Sequence, residues 1–306
     1  MKKLLVWLTH NVSAFAMNDE RFAALRCAVG DRYEVIMASD RSEFLKLLPI
    51  ADQCVCWRFD SDWYELCPKL RTVYTPAAGH DWIAPDPQKK IRIRFGTFHG
   101  TLMRESLLAM MLHFCRRMDV AMADKKDNIW NRDRYSNMPT LADSHVAIIG
   151  YGAIGRQCAI VLKAFGCRVT GIKRHVTTSQ KELDKLCTFD ELHRILPTAD
   201  HVVCLLPGGD DTDNLITAET FATMKDGAYF YNLGRGNCYL EENLTNALQN
   251  GSLAGAGLDV FAVEPLPHDS PLWNLDNVFI TPHASAICKR YLAAYFEELA
   301  QTLQAE

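Results

Sequence analysis

The sequence predicts an α/β protein of two domains, each a parallel β-sheet covered by helices on both faces. Three observations carry this. The chain has 306 residues, more than one hydrophobic core comfortably serves, so two domains are expected. In the first part of the chain, short apolar runs alternate with segments of helical period, the pattern of strands joined by crossover helices. After a polar interruption the same alternation begins again at His145.

In the first part, Lys3–Leu8, Tyr33–Ala38, Gln53–Arg58 and Arg71–Thr75 read as strands, with helices at Phe22–Val29 and Ser42–Leu48 between them. The pattern breaks around Asp86–Lys90. One long amphipathic helix rich in Leu and Met is then expected over Thr101–Met118, followed by a polar stretch, Asp124–Ser144. In the second part, Val146–Ile149 is a continuous apolar strand. The helix Ile154–Phe165 puts Ile154, Cys158, Val161 and Phe165 on one face and stops at Gly166. Strands follow at Arg168–Ile172, His201–Leu206, Ala228–Asn232, Gly255–Phe261 and Val278–Thr281. The tail, Lys289–Gln304, is helical with no strand after it, and is expected to pack back on the first domain. The boundaries are placed at 1–98 with 286–306 for one domain and 99–285 for the other.

Composition narrows the function classes. The chain is 48% hydrophobic and 23% charged, which argues against disorder. A net charge of -4 without a basic run disfavours nucleic acid as the main partner. No run approaches a membrane span. Met1-Lys2-Lys3 before Leu4–Leu8 resembles a signal peptide only faintly; five apolar residues are too few, and a first buried strand is expected. The eleven cysteines are scattered, odd in number and mostly in apolar runs, so they read as small hydrophobes of a reduced cytoplasmic protein, with no metal site.

Gly150-Tyr151-Gly152-Ala153-Ile154-Gly155 closes a predicted strand and opens a predicted helix, the context in which such a glycine string binds a dinucleotide. Gly150 permits the tight turn, Gly152 lets backbone approach a pyrophosphate, and Gly155 allows close helix–sheet packing. The helix N-terminus then offers N–H groups to the phosphates. At the end of the next strand, where an acidic residue would hold the ribose 2′-OH of NAD, this chain has Lys173 followed by Arg174. Two cations suit a 2′-phosphate, and charge-assisted bonds contribute roughly 1.5–3 kcal/mol each. NADP(H) is therefore the expected cofactor, with NAD(H) as the alternative.

Further strings complete a pattern: Leu206-Pro207 with Thr212, Asn232-Leu233-Gly234-Arg235-Gly236, Leu258–Pro267 with Asp259 and Glu264, and Thr281-Pro282-His283-Ala284. From about Ala77 to Ala284 the chain resembles the D-isomer-specific 2-hydroxyacid dehydrogenase family, and within it the NADP-dependent glyoxylate/hydroxypyruvate reductases. The resemblance implies two Rossmann-like/flavodoxin-like domains with the active site in the cleft between them, D-stereochemistry and a homodimer. It implies cofactor contacts from Gly150, Gly152, Ala153, Ile154, Gly155, Lys173, Arg174, Leu206, Pro207, Thr212, Leu233 and Asp259. It also implies that the backbone of Ala77-Ala78-Gly79-His80 takes a substrate carboxylate.

A cation, a carboxylate and an imidazole beside a nicotinamide are what reduction of a 2-oxo acid requires. His283 can donate the proton that quenches the developing oxyanion. Glu264 can hold its other ring nitrogen, and Arg235 can polarise the carbonyl and bind the substrate carboxylate. Ala78, Gly79, His80 and Arg58 are further candidates for substrate contact. Trp130 matches a Trp of the family's interdomain segment that can reach a neighbouring subunit, although structural packing is the favoured role. The chain departs from the family pattern at Leu240, where an Asp is usual, which puts helix capping there in doubt, and at Arg104. Two other readings stay open: a bulkier 2-oxo acid as substrate, and a dinucleotide-sensing, corepressor-like binding protein.

Overall fold

A computed structural model describes residues 1–176 and 180–305. They form two compact units, Met1–His99 with Ile287–Glu306, and Gly100–Ala286. No helix among the described residues is long and apolar enough to cross a membrane.

The first unit contains β1 (Lys2–Trp7), α1 (Asp19–Val29), β2 (Tyr33–Met37), α2 (Arg41–Leu47), β3 (Gln53–Cys56), β4 (Thr72–Thr75) and β5 (Arg92–Phe95). All strands are parallel, in the order β2-β1-β3-β4-β5, the flavodoxin-like order. β1 lies inside the sheet, with Leu4, Leu5 and Val6 buried, so its apolar run is core. Asn18 and Asp40 cap α1 and α2 through their side chains, meeting N–H groups that each helix start leaves open. The C-terminal helix, Tyr291–Gln304, packs on α1, with Leu292, Phe296, Leu299 and Leu303 buried.

The second unit runs through α3 (Gly100–Cys115), α4 (Met118–Lys126), β6 (His145–Ile149), α5 (Ala153–Ala164), β7 (Arg168–Ile172), β8 (Lys185–Cys187), α6 (Leu192–Ile195), β9 (His201–Cys204), α7 (Ala218–Ala222), β10 (Ala228–Asn232), α8 (Glu241–Gln249), β11 (Leu253–Leu258) and β12 (Val278–Ile280). Its sheet is parallel throughout, in the order β12-β11-β10-β9-β6-β7-β8. Strand order reverses between β6 and β9, and open α/β sheets bind their ligands outside the carboxyl ends of strands at such a switch point. Two apolar clusters cover the faces, one around Ile149, Phe230 and Leu258, the other around Leu107, Ile148 and Tyr231.

The structure departs from the sequence reading at four places. The helix expected over Thr101–Met118 ends at Cys115, because Arg117 adopts a left-handed conformation (φ 48°) and a separate helix, α4, starts after it. That helix runs into the stretch read as polar, whose Asp124 is buried and bonded by Tyr135 (2.8 Å) and Arg134. β5 was not foreseen, since Arg92-Ile93-Arg94-Phe95 alternates charged and apolar residues on a sheet edge, where charge guards the open strand. β8 spans three residues and leaves too little periodicity to read. All cysteines but Cys27 and Cys288 are buried, and each is a free thiol.

Candidate active site

The glycine string turns the chain from β6 into α5. Gly150 has φ 91°, a region open to glycine, and a Cβ there would lie 2.7 Å from the Leu205 carbonyl. Its N–H and that of Tyr151 donate to the Ile172 carbonyl (3.0 and 2.9 Å), which ties the turn to β7. Gly155 sits against Ile148 and Tyr151, where an added Cβ would come within 3.3 Å of both. Gly152 differs: a Cβ there would meet no atom within 4 Å. The fold leaves space above Gly152, and the N-terminus of α5 begins at that point.

That space belongs to a cavity of about 920 Å³ at the carboxyl ends of β6, β7 and β9. Its floor is Gly150 to Gly152, its far side includes Lys173 and Arg174, and its near wall is the segment Leu205 to Thr212. Phe189 and Leu215 add apolar surface. Volume, a phosphate-binding helix end and paired cations fit a dinucleotide. Of the expected contacts, Gly150, Gly152, Lys173, Arg174, Leu206, Pro207 and Thr212 line this cavity. Ala153 and Ile154 open α5 beside it, Ala153 exposed and Ile154 half-buried against the core, whereas Gly155 and Leu233 are packed inside.

Thr212 acts on the loop itself, since its hydroxyl donates to the carbonyls of Pro207 (2.7 Å) and Gly209 (2.8 Å). The sequence reading missed Asp211, whose carboxylate accepts from Arg174 Nη1 at 3.1 Å across the cavity mouth. The signal was present: Asp210, Asp211 and Asp213 crowd the segment after Pro207.

Arg235, Glu264 and His283, the expected catalytic trio, come from the loops following β10, β11 and β12. Buried Asn232 shapes the first loop, accepting from the Gly234 N–H (3.0 Å) and donating to the Arg235 carbonyl (3.0 Å). Arg235 is half-buried, and its Nη1 donates to the Gly234 carbonyl at 2.9 Å. Gly236 presses on the next loop so closely that a Cβ would fall 1.9 Å from the Phe261 carbonyl carbon. In that loop Glu264, followed by a cis peptide to Pro265, accepts from the Phe261 N–H at 3.0 Å. Its other oxygen lies 2.8 Å from His283 Nδ1. Burial works to push the Glu264 carboxyl up. The His283 hydrogen bond, the Phe261 N–H and the charges of His283 and Arg235 outweigh it, so Glu264 titrates below its ordinary range.

His283 stands in a left-handed conformation (φ 50°), an uncommon one for a residue with a side chain. Asp259 explains how it is held. Completely buried, it accepts through its carboxylate from Thr281 Oγ1 (2.5 Å), the Ala284 N–H (2.7 Å) and the Ser285 N–H (3.0 Å). Its backbone carbonyl accepts from the His283 N–H at 2.7 Å. Asp259, expected among the cofactor contacts, thus visibly serves to lock the segment that presents His283.

The other candidates are in the first unit. Ala78, Gly79 and His80 follow β4, and the His80 ring stacks on Phe95 with centroids 4.0 Å apart. Arg58 is exposed and pairs with Asp60 at 2.6 Å. Trp130 is 90% exposed, so the packing role favoured for it does not hold. At Leu240 the departure from the family has a visible result. α8 starts without a side-chain cap, and Glu241, in its first turn, instead accepts from the Ala262 N–H at 3.0 Å.

Comparison with known proteins agrees with this geometry. Residues 108–285 match the family model described as D-isomer specific 2-hydroxyacid dehydrogenase, NAD binding domain. A D-3-phosphoglycerate dehydrogenase of Mycobacterium leprae is 32% identical over 85% of this chain and 50% of its own length. A glyoxylate/hydroxypyruvate reductase A of Salmonella newport is 35% identical over 62% of this chain and 60% of its own. The matched part is thus between half and three-fifths of each relative's length. Among solved structures, a D-isomer specific 2-hydroxyacid dehydrogenase from Xanthobacter autotrophicus, in complex with NADPH and MES, superposes with a TM-score of 0.81 at 26% identity, covering 99% of this chain and 95% of the other. An NADPH-dependent glyoxylate/hydroxypyruvate reductase from Sinorhizobium meliloti, in complex with NADP and sulfate, gives 0.80 at 27% identity, over 100% and 96%. A glycine turn at the switch point, a fixed His–Glu pair with an arginine in the neighbouring loop, and these likenesses together place the chain in the D-isomer specific 2-hydroxyacid dehydrogenase family.

Proposed function

We propose that the protein reduces a small 2-oxo acid of the glyoxylate or hydroxypyruvate type to the D-2-hydroxy acid, with NADPH as the preferred reductant and NADH as the alternative. The observation that carries this is the 2.8 Å pairing of His283 with Glu264, which the charge of Arg235 also reaches. A bound nicotinamide supplies the hydride. The chain's own residues manage charge and protons. Glu264 remains ionised through the neutral range, because its carboxyl titrates low, and it accepts the Nδ1 proton of His283. That orients the ring and leaves Nε2 to exchange a proton with the substrate oxygen. As the oxo carbon is reduced, negative charge collects on that oxygen; the His283 imidazolium transfers its proton there while Glu264 stabilises the cation. Arg235 binds the substrate carboxylate and polarises the oxo group. In the reverse direction neutral His283 accepts the hydroxyl proton.

The likeness to structures in complex with NADPH and NADP supports the cofactor, and so does the placement of Lys173 and Arg174 on the cavity wall. A second reading, a bulkier acid, is favoured by the longer alignment with the D-3-phosphoglycerate dehydrogenase. Oxidation of NADPH and of NADH by the purified protein, with glyoxylate and hydroxypyruvate, tests the first. Oxidation of 3-phosphoglycerate with NADP+ and NAD+ tests the second. Faster turnover of the small oxo acids supports the proposal; turnover of the phosphorylated acid alone moves the assignment to the second reading. Dinucleotide binding with no turnover of any acid refutes both. We also propose a homodimer, supported by Met118, Met122, Ile129 and Trp130, large apolar residues exposed within one segment. Light scattering that gives a monomer would reject it.

A further inference from the structure

We propose that Asp211 is a specificity-determining residue of this site: it holds Arg174 as a counter-ion at the cavity mouth and so opposes the extra negative charge of a 2′-phosphate. The proposal rests on reading the cavity as a dinucleotide site.

In an ordinary NAD site the carboxylate that takes the ribose 2′-OH stands at the end of the second strand. Here that position is Lys173, with Arg174 next, and the carboxylate arrives from the opposite wall, on the loop after β9. Arg174 Nη1 and Asp211 Oδ2 are 3.1 Å apart, and both residues line the cavity. The loop fixes where Asp211 stands. Thr212 closes it with a backbone bond to the Gly209 carbonyl (2.9 Å) and a hydroxyl bond to the Pro207 carbonyl (2.7 Å). Beyond Thr212, Asp213 is bonded by the Asn237 side chain, and the Asn214 N–H donates to the Asn237 carbonyl at 2.9 Å. Asp211 is therefore carried on a tethered turn.

The balance of charge at the mouth limits how strongly NADP(H) is preferred. Lys173, Arg174, Asp210 and Asp211 all line the cavity, so the two cations share it with an equal formal charge of opposite sign. A phosphate monoester brings about −1.5 to −2 charge at neutral pH. To engage the Arg174 fork it must displace Asp211 and then remain near it. A 2′-hydroxyl meets no such opposition and can donate to Asp211. The Arg174 and Asp211 side chains are 59% and 78% exposed, so solvent weakens both effects, and an exposed pair alters an equilibrium by up to about fivefold. Loss of the pair together with loss of the repulsion predicts roughly three- to tenfold.

Dissociation constants for NADP+ and NAD+, measured by isothermal titration calorimetry on the full chain, test this with Asp211→Asn, Arg174→Ala and the double variant. The expected result is NADP+ binding tightened roughly three- to tenfold by Asp211→Asn, NAD+ binding unchanged or weakened, and a gain below about twofold when Arg174 is already Ala. Unaltered NADP+ affinity in Asp211→Asn, with NADP+ weakened by Arg174→Ala, overturns the role of Asp211 and leaves the cofactor reading standing. Equal gains for NADP+ and NAD+ also overturn it, because they mark a general charge effect. If Arg174→Ala leaves NADP+ binding intact, or neither dinucleotide binds, the cofactor reading fails and this proposal falls with it.

Discussion

Replacing His201 by Gln should flatten the acid side of the protein's stability curve. His201 lies in β9 at 2% exposure, its ring stacked on Tyr229 and its Nδ1 3.1 Å from the Tyr231 hydroxyl. Burial pushes the imidazole from 6.5 down to about 4, against a weaker upward pull from the Asp200 carboxylate. The folded value lies below the unfolded one. As pH falls through 6.5, the unfolded chain takes up a proton that the fold refuses until about pH 4, so stability is lost across that window. A difference of about 2.5 units amounts to about 3 kcal/mol, of which about 2 kcal/mol has gone by pH 5. That is a large part of the roughly 5–15 kcal/mol that holds a domain folded. Urea unfolding of the wild type and of His201→Gln at pH 7.5, 6 and 5 reads it directly. Carboxylates held low elsewhere, such as Asp184, contribute a slope of the same sign to both proteins. The difference between the two curves therefore isolates His201. Parallel curves would show that burial does not hold this imidazole neutral, and would refute the reasoning.

Other expectations concern the site. His283→Ala should lower kcat for oxo-acid reduction by about 10²–10⁴-fold and leave NADP+ binding intact; an unchanged kcat would reassign the acid. Asp259→Asn sets an amide among N–H donors, so a loss of about 1–3 kcal/mol and a fall in kcat are expected, read as a lower Tm and by steady-state kinetics; unchanged values for both would remove its anchoring role. Gly152→Ala should leave the Tm unchanged, because its Cβ meets nothing within 4 Å, yet weaken dinucleotide binding; Gly236→Ala, with a Cβ 1.9 Å from Phe261, should sharply lower the Tm, and a Tm equal to wild type would contradict the packing described there.

The sequence was informative wherever chemistry and chain direction coincide. Continuous apolar strands such as Val146–Ile149 are fully buried on both faces, which is what a parallel sheet between helices demands. The glycine string and the three loop motifs were readable because each needs particular residues at short spacing. Legibility failed where distant parts decide. Leu and Met periodicity continues past Cys115, and only the left-handed Arg117 ends the helix. The acids after Pro207 are visible in the sequence, but the partner of Asp211 is not, since Arg174 lies thirty-seven residues earlier in the chain. The role of Asp259 was hidden for the same reason: its acceptors are used by a segment more than twenty residues onward.

The order in which the units are completed has a consequence for biosynthesis. The unit carrying Arg235, Glu264 and His283 is one uninterrupted stretch, whereas the first unit is closed only by the helix that ends at Gln304. On a ribosome adding about 5–20 residues per second, β1 to β5 emerge before the second unit yet wait for their last helix until the loops carrying Arg235, Glu264 and His283 have been made. During that interval the apolar face of α1 that this helix covers is open to solvent and to other nascent chains. Release of a chain stopped at Ala286 would deliver an intact second unit beside a first unit that lacks its closing helix.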